Sequence, residues 1–80
     1  MNILIYRYGS ICEPDIIETF QKLGFQVDEE ISLIKNKNLS DSDCISIVSQ
    51  RILLKQYAFV FTINFFPWLS HLCNLTHLPY

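Results

Sequence analysis

Polar and backbone-permissive residues follow two of the apolar strands that the sequence predicts. Arg7-Tyr8-Gly9-Ser10 comes directly after the apolar run at residues 3–6, and Asn64-Phe65 comes directly after the run at residues 58–63. Open α/β folds bind ligands outside the carboxyl ends of their parallel strands. We therefore expect a binding site at these two strand ends. Its candidate residues are Arg7, Tyr8, Gly9, Ser10, Asn64 and Phe65.

The first of these two segments has the chemistry of an anion or hydroxyl site. The N–H groups at the start of a following helix can hold an anion, and the Arg7 guanidinium can add a bidentate contact. The segment contains a single glycine, so the glycine fingerprint of a dinucleotide-binding turn is absent. The same residues are equally compatible with an ordinary tight turn.

The second segment offers an amide and aromatic rings. The Asn64 side chain can orient a ligand hydroxyl, or it can bond to the local backbone in an Asx-type turn. Phe65, Phe66 and Trp68 can stack on a ring-shaped ligand. Rings of this kind more commonly lie in the core or contact another domain, and we favour that interpretation.

Other chemically capable side chains lack the spacing of a catalytic or metal site. Glu13 and Asp15 form a carboxylate pair, but acids in the first turn of a helix are expected from the helix dipole alone. Cys12 lies near a helix start without a supporting His or Asn at a motif spacing. His71 and His77, together with a nearby cysteine, lack a fourth zinc ligand. We therefore expect no catalytic residue, no metal and no cofactor.

Composition limits the possible classes of protein. The chain has 80 residues, 50% of them apolar, and a formal net charge of −2. This indicates one small folded domain rather than a disordered chain. Its six basic residues form no stripe, so nucleic acid is a poor partner. The longest apolar stretch is broken by Asn64 and Pro67 and is shorter than the ~20 residues of a membrane span.

The terminus and the cysteines predict a cytoplasmic location. The first five residues contain no basic segment and no small-residue cleavage site, so they do not resemble a signal peptide. The three cysteines are an odd number and form no CxxC pair, which is typical of reduced thiols.

The apolar pattern alternates between strands and helices along the chain. Strands are predicted at residues 3–8, 25–28 and 58–63, and helices at 13–23, 41–56 and 67–76. Pro14 suits the first turn of the first helix and Gly24 its end, while Ser40 and Asp43 form a capping box before the second. Residues 29–39 are predicted to be a loop with about one helical turn.

This alternation predicts a three-stranded parallel sheet, which we interpret as a truncated Rossmann-like half. The first and third strands are the most apolar and should be neighbours, which gives the order 2-1-3. The alternative order 3-2-1 would place the polar second strand in the middle. The first helix should cover one face and the later two the other. The inward side of the second helix should carry Cys44, Ile45, Val48, Ile52 and Leu53.

The third strand is predicted to be an exposed edge of this sheet. It is apolar and carries no Lys or Pro, so it is an aggregation hazard unless another strand pairs with it. Residues 78–80 resemble the approach to a fourth strand. We therefore expect residues 1–80 to be the N-terminal domain fragment of a larger protein. A second hypothesis is self-association through the third strand, Ala58 to Ile63.

Two runs in the chain carry a resemblance to a known family: residues 3–17 and residues 59–67. They resemble the N-terminal region of bacterial glycosyltransferase-like proteins of the spore-maturation (CgeB-like) type. Asn36-Lys37-Asn38 and Cys73-Asn74-Leu75 are similar to the same group, so the resemblance spans nearly the whole chain.

The resemblance implies a two-domain glycosyltransferase of the GT-B arrangement. In such proteins the N-terminal Rossmann-like half tends to bind the acceptor and the C-terminal half the nucleotide sugar. It implies that this chain is the acceptor half, that the six candidate residues bind the acceptor, and that a C-terminal nucleotide-sugar domain is the missing partner. The isolated chain would then be inactive.

A different class of function is also compatible with the sequence. The chain can be a non-catalytic binding or interaction module of flavodoxin-like topology. Within that class a receiver domain is disfavoured, because no acidic pair follows the first strand and no Asp ends the third.

Overall fold

The computed structural model describes residues 1–64 and 66–80 of the chain. Within these residues the elements follow one another in the order strand, helix, strand, two helices, strand, helix. They are β1 (Asn2–Tyr6), α1 (Glu13–Lys22), β2 (Gln26–Glu30), α2 (Ser32–Lys35), α3 (Asp41–Leu54), β3 (Val60–Phe61) and α4 (Pro67–Leu75).

The three strands form one parallel sheet in the order β2-β1-β3. Leu4 of β1 pairs with Asp28 of β2 on one side and with Val60 of β3 on the other. The predicted open α/β sheet with order 2-1-3 is therefore confirmed. The alternative order 3-2-1 is wrong, since β1 lies in the centre.

The central strand β1 is buried on both faces because its side chains alternate between two apolar cores. Ile3 and Ile5 pack with Ile17 of α1 on one face. On the other face Leu4 and Tyr6 pack in a core with residues of α3 and α4; the buried members from those two helices are Val48, Leu69 and Cys73. Helices thus cover both faces of the sheet, as predicted.

Helix α1 ends in the backbone motif that its glycine predicts. Gly24 has φ +95°, and its N–H donates to the Gln21 carbonyl at 3.0 Å. The N–H of Phe25 donates to the Phe20 carbonyl at 3.1 Å. These two bonds form a Schellman motif, which turns the chain directly into β2.

Strand β2 extends further than predicted, through Glu29 and Glu30. Both were predicted to lie in a loop, because consecutive acids disfavour a strand. Each is instead neutralised within the fold: Glu29 pairs with Arg7 and Glu30 with Arg51. The single helical turn predicted after them is α2.

Helix α3 begins as predicted, since the Ser40 hydroxyl accepts the Asp43 N–H at 3.1 Å. Its buried face is narrower than predicted. Cys44 and Val48 are buried, but Ile45 is 36% and Leu53 83% exposed. Placing them on the inward face was wrong, because nine residues of helix turn Leu53 about 180° away from Cys44.

Strand β3 is shorter than the predicted 58–63. Its contact with β1 starts where expected, with Ala58 N–H donating to Asn2 at 2.7 Å and Leu4 N–H donating to Phe59 at 3.2 Å. The ladder ends at Phe61, and the chain bends at Ile63 and Asn64 towards α4. In the part of the chain that is described, no helix combines the length and apolarity needed to cross a bilayer.

Candidate functional site

The first predicted segment forms the loop between β1 and α1. Gly9 has φ +101°, a conformation that a side chain disfavours. A methyl group at this position would meet no heavy atom within 4 Å, so the backbone angle and not space requires glycine. The loop therefore turns sharply at Gly9 and directs successive N–H groups inward.

The carboxylate of Glu13 lies inside this loop. Glu13 is 2% exposed and accepts hydrogen bonds from the N–H of Tyr8 at 2.9 Å and of Gly9 at 3.1 Å. The Nε of Arg7 donates to the same carboxylate at 3.1 Å. The donors that an anionic ligand would need are thus bound to the protein's own anion.

Arg7 connects this loop to β2. Its Nη1 lies 2.8 Å from Oε1 of Glu29, while its Nε faces Glu13. One guanidinium thus compensates two carboxylates, and the Arg7 side chain is only 22% exposed. The cation predicted to bind a ligand is held in the fold by two acids.

Among the described residues, Ser10 also bonds only to near neighbours in the chain. Its hydroxyl accepts the Cys12 N–H at 3.3 Å, and its carbonyl accepts the Glu13 N–H at 3.2 Å. The structure therefore brings Arg7, Tyr8, Gly9 and Ser10 together as predicted. It does so around Glu13, a residue that the sequence analysis attributed to the helix dipole.

A signal for Glu13 is present in the sequence. An acid at the first helical position follows, within six residues, an Arg at the end of a buried strand, with a glycine between them. That spacing allows the carboxylate to reach back to the loop N–H groups. Because the helix dipole alone already favours an acid in the first turn, an acid at this position does not by itself reveal that Glu13 also bonds to the loop N–H groups.

The acids of β2 on the opposite face of the sheet are also paired. Arg51 Nε lies 2.7 Å from Glu30, which also accepts the Ser32 N–H at 3.1 Å. The Tyr57 hydroxyl donates to Asp28 at 2.6 Å and Lys55 Nζ at 2.9 Å. These two bonds lower the pKa of Asp28.

The second predicted segment borders a groove on the outer side of β3. The groove has a volume of about 320 Å³ and is lined by Val60, Phe61, Thr62, Ile63, Asn64 and Tyr80. Asn64 is exposed there, as a binding residue would be. Phe65, the remaining candidate, lies outside the described residues.

The two halves of the predicted site do not line the same groove. Among the described residues that line the β3 groove, none comes from the loop at Arg7–Ser10. Aromatic residues of the two segments contact one another. The Tyr6 ring contacts those of Phe66 and Trp68 at centroid distances of 5.1 and 5.3 Å, and Tyr8 contacts Phe66 at 6.0 Å. Phe66 and Trp68 therefore pack against the core.

The chain after α4 lies along the outer edge of β3. The Val60 N–H donates to the Pro79 carbonyl at 2.9 Å, and the Phe66 N–H donates to the Tyr80 hydroxyl at 3.2 Å. Burial raises the pKa of Tyr80. Tyr80 is the residue of this segment that lines the groove.

Two buried hydroxyls near the carboxyl ends of the strands have no hydrogen-bond partner among the described residues. They are those of Tyr6 and Thr62. Burial, followed by the neighbouring Cys44 thiol, raises the pKa of Tyr6. Tyr6 is therefore a neutral core residue at physiological pH.

The remaining candidates are scattered. His71 and His77 are exposed, and Cys12 is an exposed free thiol. Cys44 and Cys73 are buried free thiols, and burial raises the pKa of Cys73. Within residues 1–64 and 66–80, no group of three His, Cys, Asp or Glu side chains is arranged to hold a metal ion.

Comparison with known proteins gives no relative: no family model, curated protein or solved structure matches this chain. The resemblance to glycosyltransferase-like proteins therefore stays a prediction.

Proposed function

We propose that this chain is a non-catalytic α/β binding module whose binding surface is the groove beside β3. The observation that carries this proposal is the buried Glu13 carboxylate, which occupies the N–H groups of Tyr8 and Gly9. With that loop closed by the protein's own anion, the surface still open to a partner lies at Val60–Asn64 and Tyr80.

The acids near the carboxyl ends of the strands support a non-catalytic role. A general base must reach a substrate proton, but Glu13 and Glu29 both bind Arg7, and Glu30 binds Arg51. Removing any of them from its cation would leave a charge uncompensated. These side chains therefore serve the fold.

The groove beside β3 has the composition of a binding site. Such sites combine apolar walls with a few polar groups that fix orientation. Val60, Phe61 and Ile63 supply the apolar wall, and the exposed Asn64 supplies a polar group.

A titration of the ¹⁵N-labelled chain with inorganic phosphate tests the proposal. We expect the amide signals of Tyr8 and Gly9 to stay unshifted, since Glu13 already holds both N–H groups. The Glu13→Gln variant is the matched control, because it removes the competing charge and should let phosphate shift both signals. Saturable shifts of Tyr8 and Gly9 in the unaltered chain would overturn the proposal.

A second candidate function is the acceptor half of a glycosyltransferase-like protein, inactive without a nucleotide-sugar domain. The observation that favours it is the position of Asn64 and Tyr80 in one groove at the end of a parallel strand. An amide beside an aromatic ring can orient and stack a sugar. The Rossmann-like assignment and the larger protein belong to this candidate.

Titration with N-acetylglucosamine separates the two candidates. The acceptor half predicts saturable shifts at Thr62 and Asn64 that Asn64→Ala abolishes, whereas Ser42→Ala on the exposed face of α3 leaves them unchanged. A complete lack of shifts at Thr62 and Asn64 would count against the acceptor half and leave the interaction module.

A further inference from the structure

The charged residues of this chain are confined to its first 55 positions. All six basic and all eight acidic residues lie there, so residues 56–80 contain no Asp, Glu, Lys or Arg. This uncharged segment forms β3, α4 and the chain that follows α4. The residues that line the β3 groove, 60–64 and 80, all belong to it. The groove therefore offers a ligand no charged side chain.

The lack of charge determines which ligands the β3 groove can hold. An ionised group that leaves water needs an opposite charge or several hydrogen bonds from the protein. Of the described residues that line the groove, Tyr80 alone has an ionisable side chain. Burial raises the pKa of Tyr80, so its hydroxyl stays neutral at physiological pH. The groove therefore favours a neutral ligand over an anion or a cation.

The backbone at this edge of the sheet disfavours an extended peptide as the occupant. The outward N–H of Val60 already donates to the Pro79 carbonyl at 2.9 Å. A peptide that joined the sheet as a further strand would need that donor, because main-chain hydrogen bonds supply the affinity in this mode of binding. Recognition in the groove therefore depends on side chains, as in the binding of a small molecule.

The size and the walls of the groove suit a small ring. Its volume of about 320 Å³ is at the lower end of the roughly 300–1,000 Å³ that small-molecule sites occupy. Phe61 and Tyr80 supply aromatic surface, and Val60 and Ile63 supply aliphatic surface. The Tyr80 hydroxyl accepts the Phe66 N–H at 3.2 Å, which holds the Tyr80 side chain in place.

An exposed amide supplies a polar contact at one end of the groove. Asn64 lies at the bend beyond β3, and its side chain is exposed. An amide side chain can accept a hydrogen bond through its oxygen or donate one through its nitrogen. A ring with one polar group at its edge can therefore bond to Asn64 while the rest of the ring packs on the apolar wall.

We infer that the β3 groove binds a small neutral molecule that combines a flat apolar ring with one hydrogen-bonding group at its edge. This inference rests on the proposed function, since it names the class of ligand for the same surface. A sugar belongs to a different class. Most of its edges are hydroxyl groups, and the apolar wall would leave them without partners.

Titration of the ¹⁵N-labelled chain with three related indoles tests the class of ligand. Near pH 7 indole is neutral, indole-3-carboxylate is an anion and tryptamine is a cation, and all three share one ring system. We expect indole to shift the amide signals of Phe61, Ile63 and Asn64 saturably, with a Kd on the order of 1 mM. Both charged analogues should bind about tenfold more weakly. Equal affinity for a charged analogue, or indole shifts confined to other residues, would overturn the inference.

An asparagine substitution tests the polar contact. Asn64→Ala removes the amide and should weaken indole binding about fivefold, the loss of one hydrogen bond. Asn74→Ala, the same change at an exposed asparagine of α4, is the matched control and should leave indole binding unchanged. N-methylindole, which lacks the N–H, should bind equally to the unaltered chain and to Asn64→Ala. Equal losses of indole affinity in the two variants would contradict the role given to Asn64.

The failure of this inference can be distinguished from the failure of the proposed function. If indole produces no saturable shift while phosphate leaves Tyr8 and Gly9 unshifted, the class of ligand is wrong and the binding module remains. A saturable phosphate shift at Tyr8 and Gly9 would instead remove the proposed function itself.

Discussion

The Glu13 carboxylate binds the loop N–H groups that an anionic ligand would otherwise bind. The carboxylate is buried and accepts three hydrogen bonds, two from loop N–H groups and one from Arg7. Hydrogen bonds to a charged acceptor are stronger than neutral ones, and a buried charge needs them. The β1–α1 loop therefore depends on the charge of this residue.

Substituting Glu13 by Gln should lower the free energy of unfolding by about 3 kcal/mol, because a buried ion pair is broken and an amide oxygen replaces two acceptor oxygens. Urea denaturation followed by circular dichroism measures this. Asp15→Asn is the matched control, an exposed acid in the same helical turn, and should cost less than about 1 kcal/mol. Equal losses for the two variants would contradict the role given to Glu13.

The hydrogen bond between Tyr57 and Asp28 makes the free energy of unfolding depend on pH. The Tyr57 hydroxyl and then Lys55 lower the pKa of Asp28 in the folded state. The stabilisation of the folded chain by these bonds is therefore fully present above a pH of about 4, the pKa of an aspartate in the unfolded chain. It is lost as the pH falls through the lowered folded pKa, because the unfolded chain then binds the proton more tightly.

Tyr57→Phe removes the larger of these two contributions. Near neutral pH we expect the free energy of unfolding to fall by about 1.5 kcal/mol. The difference from the unaltered chain should shrink when urea titrations are repeated at pH values that fall through the lowered pKa of Asp28, because protonation removes the charge that the Tyr57 hydroxyl stabilises. Tyr8→Phe, whose hydroxyl bonds to no described residue, should show no such trend. A deficit that does not change with pH would refute the linkage.

At the residue scale, the position of the β1–α1 loop was predicted correctly from the sequence, but the Glu13 carboxylate inside the loop was not predicted. The position of Arg7, Gly9 and Ser10 followed from the end of a buried strand, which is a local signal. The bonds from Glu13 back to Tyr8 and Gly9 depend on the positive φ of Gly9. Sequence alone does not distinguish that geometry from a loop open to a ligand.

The start of α3 shows how a local motif positions an element. The Ser40 hydroxyl accepts the Asp43 N–H, which satisfies one of the unpaired donors of the first turn. This fixes where the helix begins and hence which residues, Cys44 and Val48, face the sheet.

Ser40→Ala should therefore destabilise the chain by about 1 kcal/mol. Thermal unfolding followed at 222 nm measures the change. Ser42→Ala, an exposed substitution within the first turn of the same helix, is the control and should have little effect. If the two variants unfold at the same temperature, the cap does not stabilise α3.

At the element scale, helices were predicted more accurately than strand ends. Capping residues such as Ser40 and Gly24 mark helix ends through bonds between near neighbours. The ends of β2 and β3 depend on distant partners: Arg7 and Arg51 let β2 continue through two glutamates, and the bend at Asn64 ends β3 early. The spacing of apolar residues does not indicate which distant side chains pair with one another.

At the scale of the whole molecule, the sheet is asymmetric. Apolar strand content predicted that β1 and β3 lie side by side, and the register Leu4 with Val60 confirms it. The acids of β2 disfavour pairing of another strand with one edge of the sheet, whereas Pro79 and Tyr80 cover only part of the other edge. This asymmetry is the physical basis for placing the binding surface beside β3 and not at the β1–α1 loop.

Amide hydrogen exchange in a dilute sample of the chain and of Glu13→Gln tests this placement most directly. We predict that the Tyr8 and Gly9 amides exchange more slowly than the Thr62 amide, and that the substitution accelerates exchange at Tyr8 and Gly9 selectively. Rapid exchange at Tyr8 and Gly9 together with slow exchange at Thr62 would show that the β1–α1 loop is open and the chain beside β3 is closed, which would contradict a binding surface beside β3.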